Sequence, residues 1–192
     1  MISAVIPVYN DEEVLDELIR RVKPALQDLT PKFEIVLVDD GSADQSWNVI
    51  HRLCEAHPEI VGVKLARNFG QQGAIKAGLD QSRGDFMVIM DSDLQDRPED
   101  IHKLVESLEV NNTSMAIAQW ESREDSFFKQ FVSKLFYWFS TKFTTIKVEP
   151  RLGIFRVIRK SVVDELRRFP EKSATPISLL YYIGTDYSIV PL

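Results

Sequence analysis

Cysteine is nearly absent from this chain. Cys54 stands alone among 192 residues, which excludes an internal disulfide and a cysteine-built zinc site and fits a reducing compartment. Basic charge is scarce as well: 23 Lys and Arg face 29 Asp and Glu, for a net charge of −6 and a pI near 5.2. The basic stripe expected of a nucleic-acid-binding surface is therefore missing. No apolar run approaches the roughly 18 residues of a membrane-crossing helix. The opening MISAVIPVYN has neither the basic start nor the long apolar centre of a secretion signal, so a cytoplasmic location is expected. Repeats, low-complexity tracts and linker-like stretches are also lacking, and residues 1–192 read as one domain.

What is present is a hydrophobic content of 44%, enough for a sizeable core. ISAVIPV (2–8), FEIVLVD (33–39), IVGVKLA (60–66) and DFMVIMD (85–91) are Val- and Ile-rich runs of strand length. Between them lie segments with helical spacing: Val14, Leu15, Leu18, Ile19, Val22 and Leu26, then Trp47, Ile50 and Leu53, then Ala74, Ala77 and Gly78. Almost continuous apolar strands alternating with amphipathic helices predict an α/β fold with a mostly parallel sheet covered on both faces. Further on, the pattern predicts a helix over 99–110, a strand over 114–118 and a long helix over 125–143. A strand over 153–158, helices near 160–168 and 176–183, and the closing YSIVPL complete it.

Open sheets of this kind bind ligands beyond the carboxyl ends of their strands. Here those ends read PVYND, VDDGSAD, ARNFGQQG and MDSDLQD, so polar residues should converge on one rim. With fifteen aspartates in the chain, an isolated Asp-x-Asp carries little information. Asp91 and Asp93 have two readings. One is a solvated turn running into the next helix, with Asp96 and Pro98 as helix-start residues. The other is a pair of carboxylates holding Mg²⁺ or Mn²⁺, hard cations that take oxygen ligands and accompany phosphates, with Gln95 as a neutral oxygen donor. The segment Asp39-Asp40-Gly41-Ser42 likewise reads as a turn with Ser42 or Asp44 as helix cap, or as a carboxylate meeting a base N–H. There is no G-x-x-x-x-G-K-[ST], and no G-x-G-x-x-G follows the first strand, so a nucleotide at this rim would have its diphosphate charge met mainly by a metal.

AVIPVYNDEEVL, EIVLVDDGSADQSW, LARNFGQQGAIKAGLDQSRGD and VIMDSDLQDRPEDI, in this order and at these spacings, resemble the inverting GT-A-fold glycosyltransferases of family 2. The nearest branch is that of dolichyl-phosphate mannose synthases and bacterial undecaprenyl-phosphate glycosyltransferases. The resemblance is strongest over 2–101 and looser afterwards. It implies a membrane-associated enzyme at the cytoplasmic face that moves a sugar from a UDP-, GDP- or similar donor to a polyprenyl-phosphate acceptor. It also implies roles for residues: Pro7, Tyr9 and Asp11 in the nucleoside pocket, Val38 and Asp40 at the base, and the Ser92 backbone at the ribose. Asp91 and Asp93 would face metal and diphosphate with Gln95 completing the metal set, and Arg67, Asn68 and Gly70 would stand beside the donor.

The chain departs from that pattern in places. Trp120 stands where many relatives carry an arginine, while Arg123 matches a second one and is a candidate contact for a phosphate. Ile154 stands where some relatives carry an acid, with Glu149 as the nearest substitute. After YSIVPL the relatives usually continue into a basic segment and membrane helices, which leaves an inactive or truncated sugar-nucleotide-binding module as the alternative to an enzyme. In 125–143, Phe128, Phe131, Val132, Leu135, Phe139 and Phe143 form one apolar stripe beside Lys129, Lys134 and Lys142. That stripe suits either a face packed on the sheet or a helix lying among lipid headgroups.

Overall fold

The computed structural model describes residues 1–120, 152–169 and 175–192. Its strands are β1 (Ile2–Val8), β2 (Phe33–Asp39), β3 (Ile60–Lys64), β4 (Phe86–Ile89), β5 (Met115–Gln119), β6 (Leu152–Arg159) and β7 (Tyr187–Pro191). The helices are α1 (Leu15–Leu29), α2 (Ser46–Ala56), α3 (Gln71–Gln81), α4 (Ile101–Val110), α5 (Lys160–Arg168) and α6 (Pro176–Tyr182). A 3-10 turn, Pro98–Asp100, precedes α4, where the periodicity had placed the start of the helix itself.

The seven strands form one sheet in the order β3-β2-β1-β4-β6-β5-β7. β1 is central, fully buried along its length, and pairs in parallel with both β2 and β4. The β2–β3 and β5–β7 pairs are parallel too, whereas β6 runs antiparallel to β4 and β5. The mostly parallel, doubly covered sheet expected from the alternating pattern is what forms.

Each face of the sheet has its own core. On one, Leu15, Leu18, Val22 and Leu26 of α1 join Ile50 and Leu53 of α2 and Leu104 and Leu108 of α4 against Ala4, Ile6, Ile35 and Leu37. On the other, Ile75 and Leu79 of α3, Val162 and Val163 of α5 and Leu180 of α6 cover Val5, Met87, Ile89, Ile117 and Ile158. Side chains alternate along a strand, so a sheet covered on both faces needs apolar residues at successive positions; in β1, Ala4, Val5 and Ile6 all have zero exposure. The stretch 125–143 and residues Arg123 and Glu149 lie outside the described residues. Among those described, no helix is long and apolar enough to cross a membrane.

Candidate functional site

The carboxyl ends of β1, β2 and β4 and the loop before α3 surround an open cavity of about 360 Å³. Its wall is made by Pro7 through Tyr9, Asp11, Asp40, Asn68, Gly70, Gln71 and the run Asp91–Asp93. Pro7, Tyr9, Asp11, Asp40, Asp91, Ser92 and Asp93, far apart in sequence, thus meet on one surface as the rim rule anticipates. So do Asn68 and Gly70.

The loops are sewn to one another through polar side chains. After β1 the chain turns at Asn10, whose φ of 57° an asparagine tolerates better than a bulky residue does. Asn10 donates its N–H to the Ser42 hydroxyl at 3.0 Å and accepts the Ala43 N–H at 2.8 Å. The Asp11 N–H donates to the Ser46 hydroxyl at 2.9 Å, and the Glu12 N–H to Asp44 at 3.2 Å. Burial pushes the Asp44 carboxyl up, but hydrogen bonds from Ser46 and from the Glu12 N–H outweigh it and hold the carboxyl below its usual range. Neither Ser42 nor Asp44 caps α2 in the expected way. The cap position is Gln45, Ser42 serves the β1 loop, and Asp44 accepts the Ser46 N–H at 2.9 Å.

At the end of β2 the buried Asp40 accepts the Phe69 N–H at 2.7 Å, tying the β2 loop to the segment before α3. Gly41 between them has φ of 71°, and a Cβ there would come within 2.6 Å of the Arg67 and Asn68 backbone, so only glycine lets the two loops touch. Gly70, with φ of 82°, turns the chain into α3. Gln71, the first residue of that helix, donates its side-chain amide to Asp91 at 2.6 Å.

The loop after β4 is braced from within and from β1. The Asp91 N–H donates to Asp96 at 2.9 Å, and the Gln95 N–H to Asp93 at 3.0 Å. The Ser92 hydroxyl donates to Asp11 at 2.5 Å. Asp96 is therefore a brace of this turn; the 3-10 turn that follows has no side-chain cap, which corrects the helix-cap reading of Asp96. Leu94 sits at φ of 63°, a left-handed conformation that costs a bulky residue energy and that tends to be kept where a loop must hold a set shape.

Several expected residues lie elsewhere. The Val38 side chain is fully buried against Val36 and Ala74 and does not face the cavity, as strand alternation dictates. Arg67 is exposed and stacks on the Phe69 ring, 4.9 Å from its centroid, outside the cavity wall. Gln95 is exposed and meets Asp93 through its backbone. Trp120 packs against the first core with its indole N–H buried and unpartnered, and Ile154 packs on the second. Conversely, Gln71 was overlooked in the sequence. Its signal is positional: the first helical residue after a rim loop points back towards the neighbouring strand end.

The model of Glycosyl transferase family 2 matches residues 3–167. The chain belongs to that family. It is 39% identical over 173 residues to undecaprenyl-phosphate 4-deoxy-4-formamido-L-arabinose transferase of Pseudomonas fluorescens, covering 90% of this chain and 51% of that one. It is 32% identical over 190 residues to the bactoprenol glucosyl transferase of Shigella phage SfV, covering 98% and 62%. The chain therefore spans about half to three fifths of the length of these curated relatives. In fold it resembles the mannosyltransferase PcManGT from Pyrobaculum calidifontis in complex with GDP-Man and Mn2+, with a TM-score of 0.67, 20% identity, and coverage of 99% of this chain and 54% of that one. The fold is that of the GT-A glycosyltransferases.

Proposed function

We propose that residues 1–192 form a single GT-A domain that binds a nucleotide-sugar donor at the rim cavity and transfers the sugar, with inversion, to a polyprenyl-phosphate acceptor at the cytoplasmic face of a membrane. One observation carries this reading: the strand-end residues implied for nucleoside and diphosphate, Tyr9, Asp11, Asp40, Asp91, Ser92 and Asp93, share one cavity wall. Tyr9, half exposed at the mouth, offers a ring for a base to stack on. Asp40 is fixed by the Phe69 N–H and offers a carboxylate to a base N–H.

The wall contains four aspartates, Asp11, Asp40, Asp91 and Asp93, and among the described residues that line it there is no lysine or arginine. An anionic diphosphate entering such a cavity needs a cation with it. Asp91 and Asp93 present hard carboxylate oxygens and would hold Mg²⁺ or Mn²⁺, with Gln95 on the same loop offering an amide oxygen; no group of three or more His, Cys, Asp or Glu capable of holding a metal occurs among the described residues. When bound, the cation supplies Lewis-acid stabilisation of the charge that develops on the diphosphate.

Gln71 and the Gln95 N–H orient the two carboxylates, and the Ser92–Asp11 bond keeps the β4 loop closed on the β1 loop. The acceptor oxygen then attacks the anomeric carbon opposite the diphosphate as the bond from that carbon to the diphosphate oxygen breaks. A phosphate acceptor is already ionised near neutral pH, so no strong general base is required. Arg123 is the proposed contact for a donor or acceptor phosphate, and the aromatic and lysine-bearing stretch 125–143 the proposed contact with lipid headgroups.

Thermal-shift and calorimetric titration with UDP, GDP and CDP, with and without Mn²⁺, tests the donor site. The expected result is metal-dependent binding of one nucleotide above the others; no binding of any would overturn the reading. Co-sedimentation with anionic vesicles tests the membrane contact, and recovery of all protein in the supernatant would reject it.

A further inference from the structure

Among the described residues the cavity wall has no basic side chain, yet a cation is buried on β6, the strand next to β4. Arg156 on β6 is only 2% exposed. Its neighbours across the sheet are Ile89 of β4 and Ile117 of β5. Nε donates to the Ile154 carbonyl at 3.0 Å and Nη2 to the Gly153 carbonyl at 2.6 Å. Because β6 runs antiparallel to β4, stepping back along β6 from Arg156 to Gly153 keeps pace with stepping forward along β4 from Ile89 into the Asp91–Ser92 turn. The guanidinium consequently lies towards the rim, one strand away from the acidic pair. Strand spacing puts it on the order of 10 Å from where a bound diphosphate would sit.

Arginine stays charged in proteins, and a buried charge is tolerated when an opposite charge or a full set of hydrogen bonds compensates it. Arg156 has neither. Among the described residues no carboxylate forms an ion pair with it, and Nη1 is buried without a hydrogen-bond partner. Burial pushes its pKa down from the ordinary arginine value, an effect that Tyr181 on α6 partly counters. The other cations near the rim differ: Arg67 is exposed and stacked on Phe69. In a poorly solvated position a charge acts over a longer distance than it does in water.

We propose that Arg156 is a positioning residue of the donor site: it braces the start of β6 through the Gly153 and Ile154 carbonyls and supplies a fixed positive charge behind the rim that favours the diphosphate part of a nucleotide. This rests on the reading of the rim as a nucleoside-diphosphate site. Among the described residues the charge has no carboxylate partner, and in this proposal the ligand's diphosphate supplies its counter-charge.

Two variants separate charge from bracing. Arg156→Gln keeps an N–H donor and removes the charge, whereas Arg156→Lys keeps the charge and loses the planar fork. Affinities for UDP and GDP, and for uridine and guanosine, are measured by calorimetry on the 192-residue chain in Mn²⁺ at low and high salt. Arg156→Gln should weaken binding of the preferred diphosphate on the order of tenfold, leave the matching nucleoside unaffected, and differ from wild type less at high salt. Arg156→Lys should keep most of the affinity and, relative to wild type at the same pH, gain as pH falls, since a buried ammonium is charged only below its lowered pKa. Equal losses for nucleoside and diphosphate, or no loss in a folded Gln variant, would overturn the proposal. If Arg156→Gln does not fold by circular dichroism, the pH response of the Lys variant decides, a flat response leaving Arg156 as a brace only. Wild type that binds no nucleotide would overturn the donor-site reading itself, an outcome distinct from wild type and Gln variant binding alike.

Discussion

The two ends of the sheet use the carboxylate group in opposite ways. At the amino ends of the strands, Glu34 is buried and saturated: it accepts the Ser3 hydroxyl at 2.7 Å, the Arg83 N–H at 2.7 Å, and the Arg83 guanidinium through Nε at 2.9 Å and Nη2 at 2.6 Å. Ser3 also accepts the Gly84 N–H at 2.8 Å, so one carboxylate closes the turn between α3 and β4 onto β1 and β2. At the carboxyl ends, Asp40 accepts the Phe69 N–H, Asp91 the Gln71 amide and Asp93 the Gln95 N–H, and all three residues line open space. A carboxylate matched by a guanidinium is a clasp. Carboxylates that line a cavity face whatever enters it, and under the proposed function one end of the sheet serves stability and the other binding.

The sharpest way to break that contrast is Asp93→Asn. Metal-dependent nucleotide binding should fall by about a hundredfold or more, the scale on which loss of a charged ligand acts, while the melting temperature stays near that of wild type; calorimetry and a thermal melt on the same sample check both halves. Glu34→Gln should do the reverse, costing roughly 2–3 kcal/mol in urea unfolding and leaving nucleotide affinity unchanged. Burial raises the Glu34 carboxyl, but the Ser3 hydroxyl and the Arg83 groups outweigh it and hold it below its usual value. Its contribution should therefore be complete above the ordinary carboxylate range and disappear as pH falls through the lowered value. Wild type and Glu34→Gln should converge in strong acid, and a constant gap would disprove the clasp.

Gln71→Ala should have a smaller effect, weakening Mn²⁺-dependent nucleotide binding roughly tenfold or less, as expected for one hydrogen bond to a carboxylate. Binding without metal and stability should hardly change. Smallest of all is the surface pair Arg21–Glu99, 2.6 Å apart. The Arg21 guanidinium lowers the Glu99 carboxyl to about 2, but Glu99 is 51% exposed. Solvent screening therefore limits Glu99→Gln to about 0.5 kcal/mol or less in a chemical melt. A larger loss would mean that surface charge does more for this fold than the Glu34 clasp implies.

Much of this was legible in the chain. The strands 2–8 and 33–39 were bounded to the residue because each is a nearly continuous apolar run that ends in a polar loop. The rim was legible for the same reason, since four strand ends carried its polar residues. The burial of the Val38 side chain was not legible, because proximity in sequence to Asp40 says nothing about which side of the strand it faces. The role of Asp96 was hidden as well: an aspartate two residues before a proline suits a helix start, and only the folded turn aims it at the Asp91 N–H.

By itself, the order of residues determined the α/β class, the parallel core and the end of the sheet where polar residues collect, because hydrophobic periodicity and strand direction are local properties. Tertiary structure alone decided that Glu34 is clasped while Asp91 and Asp93 border a cavity, that Gln71 reaches Asp91, and that Arg156 is enclosed with no carboxylate partner among the described residues. Those outcomes depend on which residues from distant strands become neighbours, and on how much water their packing excludes from each charge.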